Sequence, residues 1–289
     1  MSTLAHPRPG REKKVKKLPA GRFAIYTILL LLAVFAIGPL LLALFNALKT
    51  QSQLATDPLG LPTHPQWHNF LDAWDQANMG AGLRNSAILV IATALGVCVI
   101  SGSAAYAMSR LRVPGSNFFI LYLLVTASLP IQLFLVPLFY IWTNAGLYDN
   151  LFGLVIIYWA IYSPFATLLI RSFMVALPEE YEEAARLDGA GDLRVLLRVV
   201  LPMAWPGFLT AALVAGLQAY NEFMLAVTFI QSSSKMPVST AFFSFQSGYT
   251  QNYTLTSAGG LIMVIPVLIA FLFLQRRFTE GYASSGMTG

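Results

Sequence analysis

Residues 182–189 read EEAARLDG, and after nine further residues the chain continues with VVLP at 199–202. This acidic, alanine- and glycine-containing segment lies in a chain that is 56% hydrophobic and only 11% charged. Because soluble domains carry about 25% charged residues, most of the chain is predicted to lie in a membrane. A long polar loop in such a chain indicates a docking surface for a soluble partner.

Six apolar stretches are long enough to cross a bilayer, since about 20 apolar residues span about 30 Å of hydrocarbon. The backbone must satisfy its own hydrogen bonds in lipid, which favours helices over open strands. We therefore predict an all-α polytopic membrane protein with six transmembrane helices. The predicted spans are residues 23–46, 86–107, 118–142, 151–171, 204–231 and 255–275.

These spans divide the chain into four predicted parts. Residues 1–22 form a basic cytoplasmic tail, and residues 23–83 contain the first transmembrane helix and an external loop. Residues 84–275 form the main transmembrane domain, which includes the polar loop at 178–202. Residues 276–289 form a second cytoplasmic tail. The prolines inside spans three, four and six predict bends, and they are Pro130, Pro137, Pro164 and Pro266.

The distribution of Lys and Arg predicts the orientation, because cytoplasmic loops are enriched in both. All but three of the 18 Lys and Arg residues fall in the two tails or after the second and fourth spans. The exceptions are Lys49, Arg84 and Lys235. Both termini are therefore predicted to be cytoplasmic. The excess of basic over acidic residues reflects this orientation and an attraction to anionic lipid. It requires no nucleic-acid partner.

Local signals predict two short helices in the 178–202 loop. Pro178 suits the first helical position, and the following carboxylates complement the positive end of the helix dipole. The first helix is predicted to reach Leu187 and to stop at Gly189, which can adopt the left-handed conformation. Asp192 is predicted to cap the second helix.

The first of these helices has a surface suited to a partner. The small side chains of Ala184 and Ala185 leave a surface that a partner can approach closely. We predict that Glu182, Glu183 and Arg186 place charges around the rim of this surface. Composition alone allows an alternative, a solvated amphipathic connection at the membrane surface.

Glu222 is the single acidic residue within a predicted span. A carboxylate at the centre of a membrane costs about 2.5–3.5 kcal/mol, so such residues face a cavity or a partner. We predict a translocation cavity lined by Tyr162, Tyr220, Asn221, Glu222 and Phe223. Alternatively, Glu222 hydrogen-bonds another helix or a second subunit, or it serves as an ion site in a self-contained secondary transporter or channel.

Catalytic signals are missing from the sequence. It has no G-x4-G-K-[S/T] phosphate loop, no nucleophile paired with a base and no metal-ligand spacing. The chain is therefore predicted not to be an enzyme and to carry no cofactor. A separate ATPase subunit would have to bind ATP and Mg²⁺.

The motif E-A-A-x3-G-x9-I-x-L-P of type I ABC importer permeases resembles residues 183–202, with Val199 in place of Ile. The runs LRNS at 83–86, YNEF at 220–223 and QRRF at 275–278 are similar to the carbohydrate branch of this family. Within that branch the chain resembles the smaller permease subunit of maltose-type transporters. The resemblance implies a MetI-like transmembrane domain in the inner membrane of a prokaryote.

The resemblance also implies the partners. They are a second, different permease subunit, two ATPase subunits and an extracytoplasmic solute-binding protein, which the loop at 231–253 would enter. The cargo would be an oligosaccharide or related polyol; a peptide, an amino acid or an anion is the alternative. The residues implied to couple to the ATPase are Glu182, Glu183, Ala184, Ala185, Asp188, Gly189, Leu201 and Pro202.

Overall fold

The computed structural model describes residues 20–111, 113–243 and 252–285, with side chains from residue 24 to residue 273 within those ranges. Residues 1–19 of the predicted basic tail, 244–251 of the loop predicted at 231–253, and 286–289 lie outside it. The described residues form helices and no strand. The all-α prediction is therefore confirmed.

Shorter helices lie between four long helices along the chain. A 3₁₀ turn at Ile131–Phe134 precedes α6, and a π-helical stretch at Leu196–Val200 follows α9. In chain order the α-helices are α1 (Ala20–Ala47), α2 (Gln51–Thr56), α3 (His68–Gln76), α4 (Met79–Arg110), α5 (Ser116–Ser128), α6 (Leu135–Asn144), α7 (Leu151–Val175), α8 (Glu180–Leu187), α9 (Asp192–Val195), α10 (Leu201–Met203), α11 (Trp205–Asn221), α12 (Met224–Phe229), α13 (Val238–Phe243) and α14 (Tyr253–Ser285).

Four described helices, α1, α4, α7 and α14, are each long and apolar enough to cross a membrane. Two bent pairs raise the number to as many as six. One pair joins α5 to the segment Ile131–Asn144 at an angle of 89°, and the other joins Asp192–Met203 to α11 at 79°. The prediction of six spans agrees with the upper number.

Two predicted spans differ in shape from the sequence-based expectation. Span three, predicted at 118–142, breaks at Leu129, which is extended at φ −78° and ψ 131°. The break follows from Pro130, which disfavours helical geometry in the residue before it. Span five, predicted at 204–231, ends as a helix at Asn221 because Glu222 is extended at φ −66° and ψ 127°.

The predicted second tail also differs, because α14 stays helical through Ser285 instead of ending near residue 275. Pro164 and Pro266 lie inside continuous helices, so those prolines do not interrupt their spans as Pro130 does.

Small residues on α4 let α7 and α11 approach closely. A Cβ atom at Gly96 would lie 2.0 Å from Nε1 of Trp159, and one at Gly102 would lie 2.5 Å from Cε1 of Phe208. The Ser101 hydroxyl donates to the Ser163 carbonyl oxygen at 3.1 Å. Close packing of this kind holds helices together in lipid, where the hydrophobic effect does not favour the association of helices. α4 therefore forms the centre of the bundle.

Candidate functional site

The 178–202 loop is built from two helices that meet at Gly189. Gly189 has φ +81°, the left-handed conformation that glycine adopts without strain. Its N–H donates to the Arg186 carbonyl and the N–H of Ala190 donates to the Ala185 carbonyl, both at 3.0 Å. These two bonds form a Schellman motif, which satisfies carbonyl groups left free at the end of a helix. The predicted end of the first helix at Gly189 is confirmed.

The second helix starts in a different way from the prediction. Gly191 occupies the N-cap position, and the Asp192 side chain makes no capping bond there. The helix then widens into the π-helical stretch, where the Leu201 N–H donates to Leu196, five residues back. Stretches of this kind occur frequently at functional sites.

Arg186 braces the angle between the two helices. Its guanidinium lies 2.5 Å from Oδ1 of Asp192 and 3.4 Å from the Tyr106 hydroxyl of α4. The hydrogen bond to Asp192 raises the pKa of Arg186. Arg186 therefore connects the two helices of the loop to each other and to α4. It also places a positive charge at the rim of the loop.

Glu182 differs from the predicted rim position, because it is buried. Its Oε1 atom lies 2.9 Å from Nε of Arg110, an ion pair without the alignment of a hydrogen bond. Burial raises the pKa of Glu182, while Arg110 lowers it. Arg110 is one of the basic residues whose distribution predicts the orientation, and nothing in the sequence indicates this contact.

The outward surface of the loop is apolar as well as charged. Leu187 is 90% exposed and Leu193 is 69% exposed. Leu193 also borders an open recess of about 550 Å³ together with Arg194 and Arg198. Of the predicted coupling residues, Glu182 is buried, Ala185 and Leu201 are half-buried, and the exposed ones are Glu183, Ala184, Asp188, Gly189 and Pro202.

A second recess, of about 360 Å³, lies where α5, α7 and α11 meet. Its polar lining side chains are Tyr162 and Gln218. Tyr162 was predicted at the cavity, but Gln218 was missed, although it lies one helical turn before Glu222. The recess is therefore predominantly apolar, with two groups able to hydrogen-bond a solute.

The other predicted cavity residues lie outside this recess. The Tyr220 hydroxyl donates to the Met263 carbonyl at 2.7 Å, and the Asn221 amide donates to the Leu217 carbonyl at 2.9 Å. The Phe223 ring packs on Phe243, with centroids 4.8 Å apart. These contacts are within or between helices.

Glu222 acts as a cap in the structure. Its carboxylate accepts the N–H groups of Leu225 at 2.8 Å and Ala226 at 2.9 Å, at the start of α12. It also accepts the Tyr158 hydroxyl at 3.1 Å. The alternative in which Glu222 hydrogen-bonds another helix therefore matches its geometry. The Ser239 hydroxyl donates to the Glu222 carbonyl at 2.8 Å and attaches α13 to the same point.

The opposite end of α4 holds the segment 231–238. The Asn85 amide donates to the carbonyls of Ser234 at 2.9 Å and Met236 at 3.1 Å. The Ser86 hydroxyl accepts the Val238 N–H at 2.9 Å. Asn85 and Ser86 of the run LRNS thus have a structural role that the sequence alone did not reveal.

Asp149, between α6 and α7, fixes the same segment. Its carboxylate accepts the Ser232 hydroxyl and the N–H of Gln231 and lies 3.0 Å from Nζ of Lys235. These hydrogen bonds, the one from the Ser232 hydroxyl first, lower the pKa of Asp149. In the part of the chain with described side chains, no group of His, Cys, Asp and Glu could hold a metal ion.

Comparison with known proteins gives a family match over most of the chain. The model for the binding-protein-dependent transport system inner membrane component matches residues 96–282. The chain is 33% identical to the diacetylchitobiose uptake system permease protein NgcG of Streptomyces coelicolor, covering 92% of this chain and 89% of the relative. It is 29% identical to the sulfoquinovosyl glycerol transport system permease protein SmoH of Agrobacterium fabrum, covering 100% of both.

The fold also matches a solved structure. A chain of a bacterial ABC transporter involved in the import of the acidic polysaccharide alginate gives a TM-score of 0.78 at 21% identity, covering 94% of this chain and 100% of that chain. At this identity the match supports the fold, while the family rests on the sequence comparisons. The chain belongs to the binding-protein-dependent transport system inner membrane components, the permeases of ABC importers.

Proposed function

We propose that this chain is a permease subunit of an ATP-driven sugar importer and that its 178–202 loop docks into a separate ATPase subunit. The observation that carries the proposal is the braced two-helix loop with Leu187 exposed at its tip. Large apolar side chains that are exposed together mark interaction sites. This loop would transmit motion of the ATPase to the transmembrane helices. That motion would change the side of the membrane to which the cavity opens.

The family and the faces that this chain leaves open support the proposal of further partners. α5, the 3₁₀ turn and α6 contain no buried residue, which leaves an apolar surface for a second, different permease subunit. The segment 231–238, held by Asn85 and Asp149, would face a solute-binding protein outside the cell. In this arrangement both termini would lie in the cytoplasm and the complex would lie in the inner membrane.

The proposed cargo is an oligosaccharide or a related polyol. The relatives named above are permease proteins of a diacetylchitobiose uptake system and of a sulfoquinovosyl glycerol transport system. A third relative, from Halalkalibacterium halodurans, is the permease protein of an arabinooligosaccharides transport system. The recess supports an uncharged solute because its polar lining groups, Tyr162 and Gln218, are neutral.

Cysteine crosslinking in the complete complex tests the docking. In a Cys98→Ala background, Leu187→Cys is expected to capture the ATPase subunit. Leu59→Cys is the matched control, because Leu59 is 76% exposed and lies at the opposite end of the bundle. Equal capture from both positions, or none from position 187 in an active complex, would contradict the proposal.

A further inference from the structure

Arg110 joins three elements at the end of the bundle that carries the 178–202 loop. It is the last residue of α4, and only 4% of its side chain is exposed. Its neighbours are the end of α7 and the start of α8. A buried arginine at the end of a membrane span needs partners for each of its donors.

Nη1 and Nη2 of the guanidinium make hydrogen bonds, whereas Nε is ion-paired without hydrogen-bond alignment. Nε lies 2.9 Å from the Glu182 carboxylate, and Nη1 lies 3.2 Å from the Glu179 carboxylate. Nη2 donates to the carbonyls of Met174 at 2.5 Å and Leu177 at 2.7 Å. The last carbonyls of a helix have no partner within it, so Arg110 completes the end of α7 while it holds α8.

A second contact lies one helical turn away. The Arg186 guanidinium reaches the Tyr106 hydroxyl at 3.4 Å. Residues four apart lie on the same face of a helix, so Glu182 and Arg186 of α8 face Tyr106 and Arg110 of α4. The inner side of α8 is therefore attached to the last turn of α4 at two points.

Fold stability is a weak reason for such an arrangement. Removing two charges from water is about as unfavourable as their attraction is favourable, and a buried ion pair is often no more stabilising than apolar residues of the same size. What the pair does provide is one defined position of α8 relative to α4 and α7. Lys could not reproduce it, since an ammonium group lacks the planar fork of donors.

We propose that Arg110 is a positioning residue for coupling, which makes α8 and the ends of α4 and α7 move as one body. The inference rests on the proposed function, because the loop must first receive motion from the ATPase. Without Arg110, the loop would still dock through its outward surface. Its displacement would then no longer move the two spans together.

The test uses the complete complex in proteoliposomes, with the solute-binding protein present. Arg110→Gln is expected to retain the ATPase subunits and ATP hydrolysis. Solute transported per ATP should fall roughly tenfold, within the range for residues that carry coupling between sites. Arg110→Lys should give an intermediate ratio. Arg84→Gln, an exposed arginine near the other end of α4, is the matched control and should keep the ratio of the unmodified complex.

Glu182→Gln is a second variant in case Arg110→Gln does not assemble. It keeps the size of the side chain, removes the charge, and should lower the same ratio by a smaller factor. An unchanged ratio in an assembled Arg110→Gln complex overturns the proposal. Failure of that variant to assemble, together with an unchanged ratio for Glu182→Gln, also overturns it and leaves Arg110 a purely structural role.

The two proposals fail in distinguishable ways. If Leu187→Cys captures no ATPase subunit, the docking itself is wrong. If it captures the subunit and Arg110→Gln remains fully coupled, only the role of Arg110 is wrong.

Discussion

The Tyr158 hydroxyl donates a hydrogen bond of 3.1 Å to the Glu222 carboxylate and so connects α7 to the break between α11 and α12. The same carboxylate caps α12 through two backbone N–H groups. Because its acceptor positions are engaged by the protein, Glu222 is better suited to holding this break than to carrying an ion.

Replacement of Glu222 by Ala should therefore destabilise the protein. The loss of a helix cap costs about 0.5–2 kcal/mol, and the buried Tyr158 hydroxyl would also lose its partner. Tyr158→Phe removes one of the three hydrogen bonds and should cost less. Thermal unfolding of the solubilised complex measures both effects.

Uptake itself should continue to depend on ATP in the Glu222 variants that assemble. A protonophore added to proteoliposomes should leave the initial uptake rate unchanged. Uptake by this chain alone, driven by an ion gradient and lost in Glu222→Gln, would instead establish the secondary transporter.

Gly189→Pro should abolish the stimulation of ATP hydrolysis by solute while leaving membrane insertion intact. Proline fixes φ near −65°, whereas Gly189 requires +81° and donates its N–H to Arg186. Gly189→Ala should have a smaller effect, about 1–2 kcal/mol of backbone strain, because a Cβ atom there meets nothing within 4 Å. Gly38→Ala is the control, since that position is equally open but lies within a helix.

Glu183→Lys should also prevent solute-dependent ATP hydrolysis, because it reverses the charge on the exposed surface of α8. Glu180→Lys is the matched control, because Glu180 is exposed and lies in the first turn of the same helix. Equal loss from both substitutions would point to a general effect of charge rather than to a contact at position 183.

Asp149→Asn should destabilise the segment 231–238 at neutral pH by roughly 1.5–3 kcal/mol, the range for hydrogen bonds to a charged group. Asn is a suitable replacement because it tolerates the positive φ of 51° at this position. Exposed Asp75→Asn is the control. Thermal unfolding as a function of pH provides the measurement.

The pH dependence follows from the lowered pKa of Asp149. A carboxyl group with a lower pKa in the folded state stabilises the fold above its unfolded pKa of about 3.9. This contribution is lost as the pH falls towards the folded pKa. The difference between the unmodified chain and Asp149→Asn should therefore be constant from pH 7 to about pH 5 and shrink below about pH 4. A constant difference down to pH 3 would contradict the assignment.

Tyr162→Phe and Gln218→Leu should each raise the KM for sugar uptake several-fold with little change in basal ATP hydrolysis. Each removes a hydrogen-bonding group from the recess and keeps the side-chain volume, and one lost hydrogen bond is worth about 0.5–1.5 kcal/mol. Tyr220→Phe is a useful contrast, because Tyr220 bonds to Met263 outside the recess. It should lower thermal stability and leave the KM unchanged.

Features set by neighbouring residues were predictable from the sequence. The stop at Gly189 depends on residues within one helical turn, and the bend in span three depends on Pro130. The burial of Glu182 was not predictable, because it requires Arg110 from a distant part of the chain. The break at Glu222 has no proline or glycine to mark it, and its capping depends on Tyr158 from another span.

The π-helical stretch Leu196–Val200 accommodates one residue more than α-helical spacing would need. Successive residues of an α-helix are about 100° apart around its axis. Winding the same residues as a regular α-helix would therefore turn the preceding helix by about that angle, so that Leu193 would present a different side to an approaching subunit. The direction in which Leu193 faces is thus set by the π-helical winding of this stretch as well as by its composition.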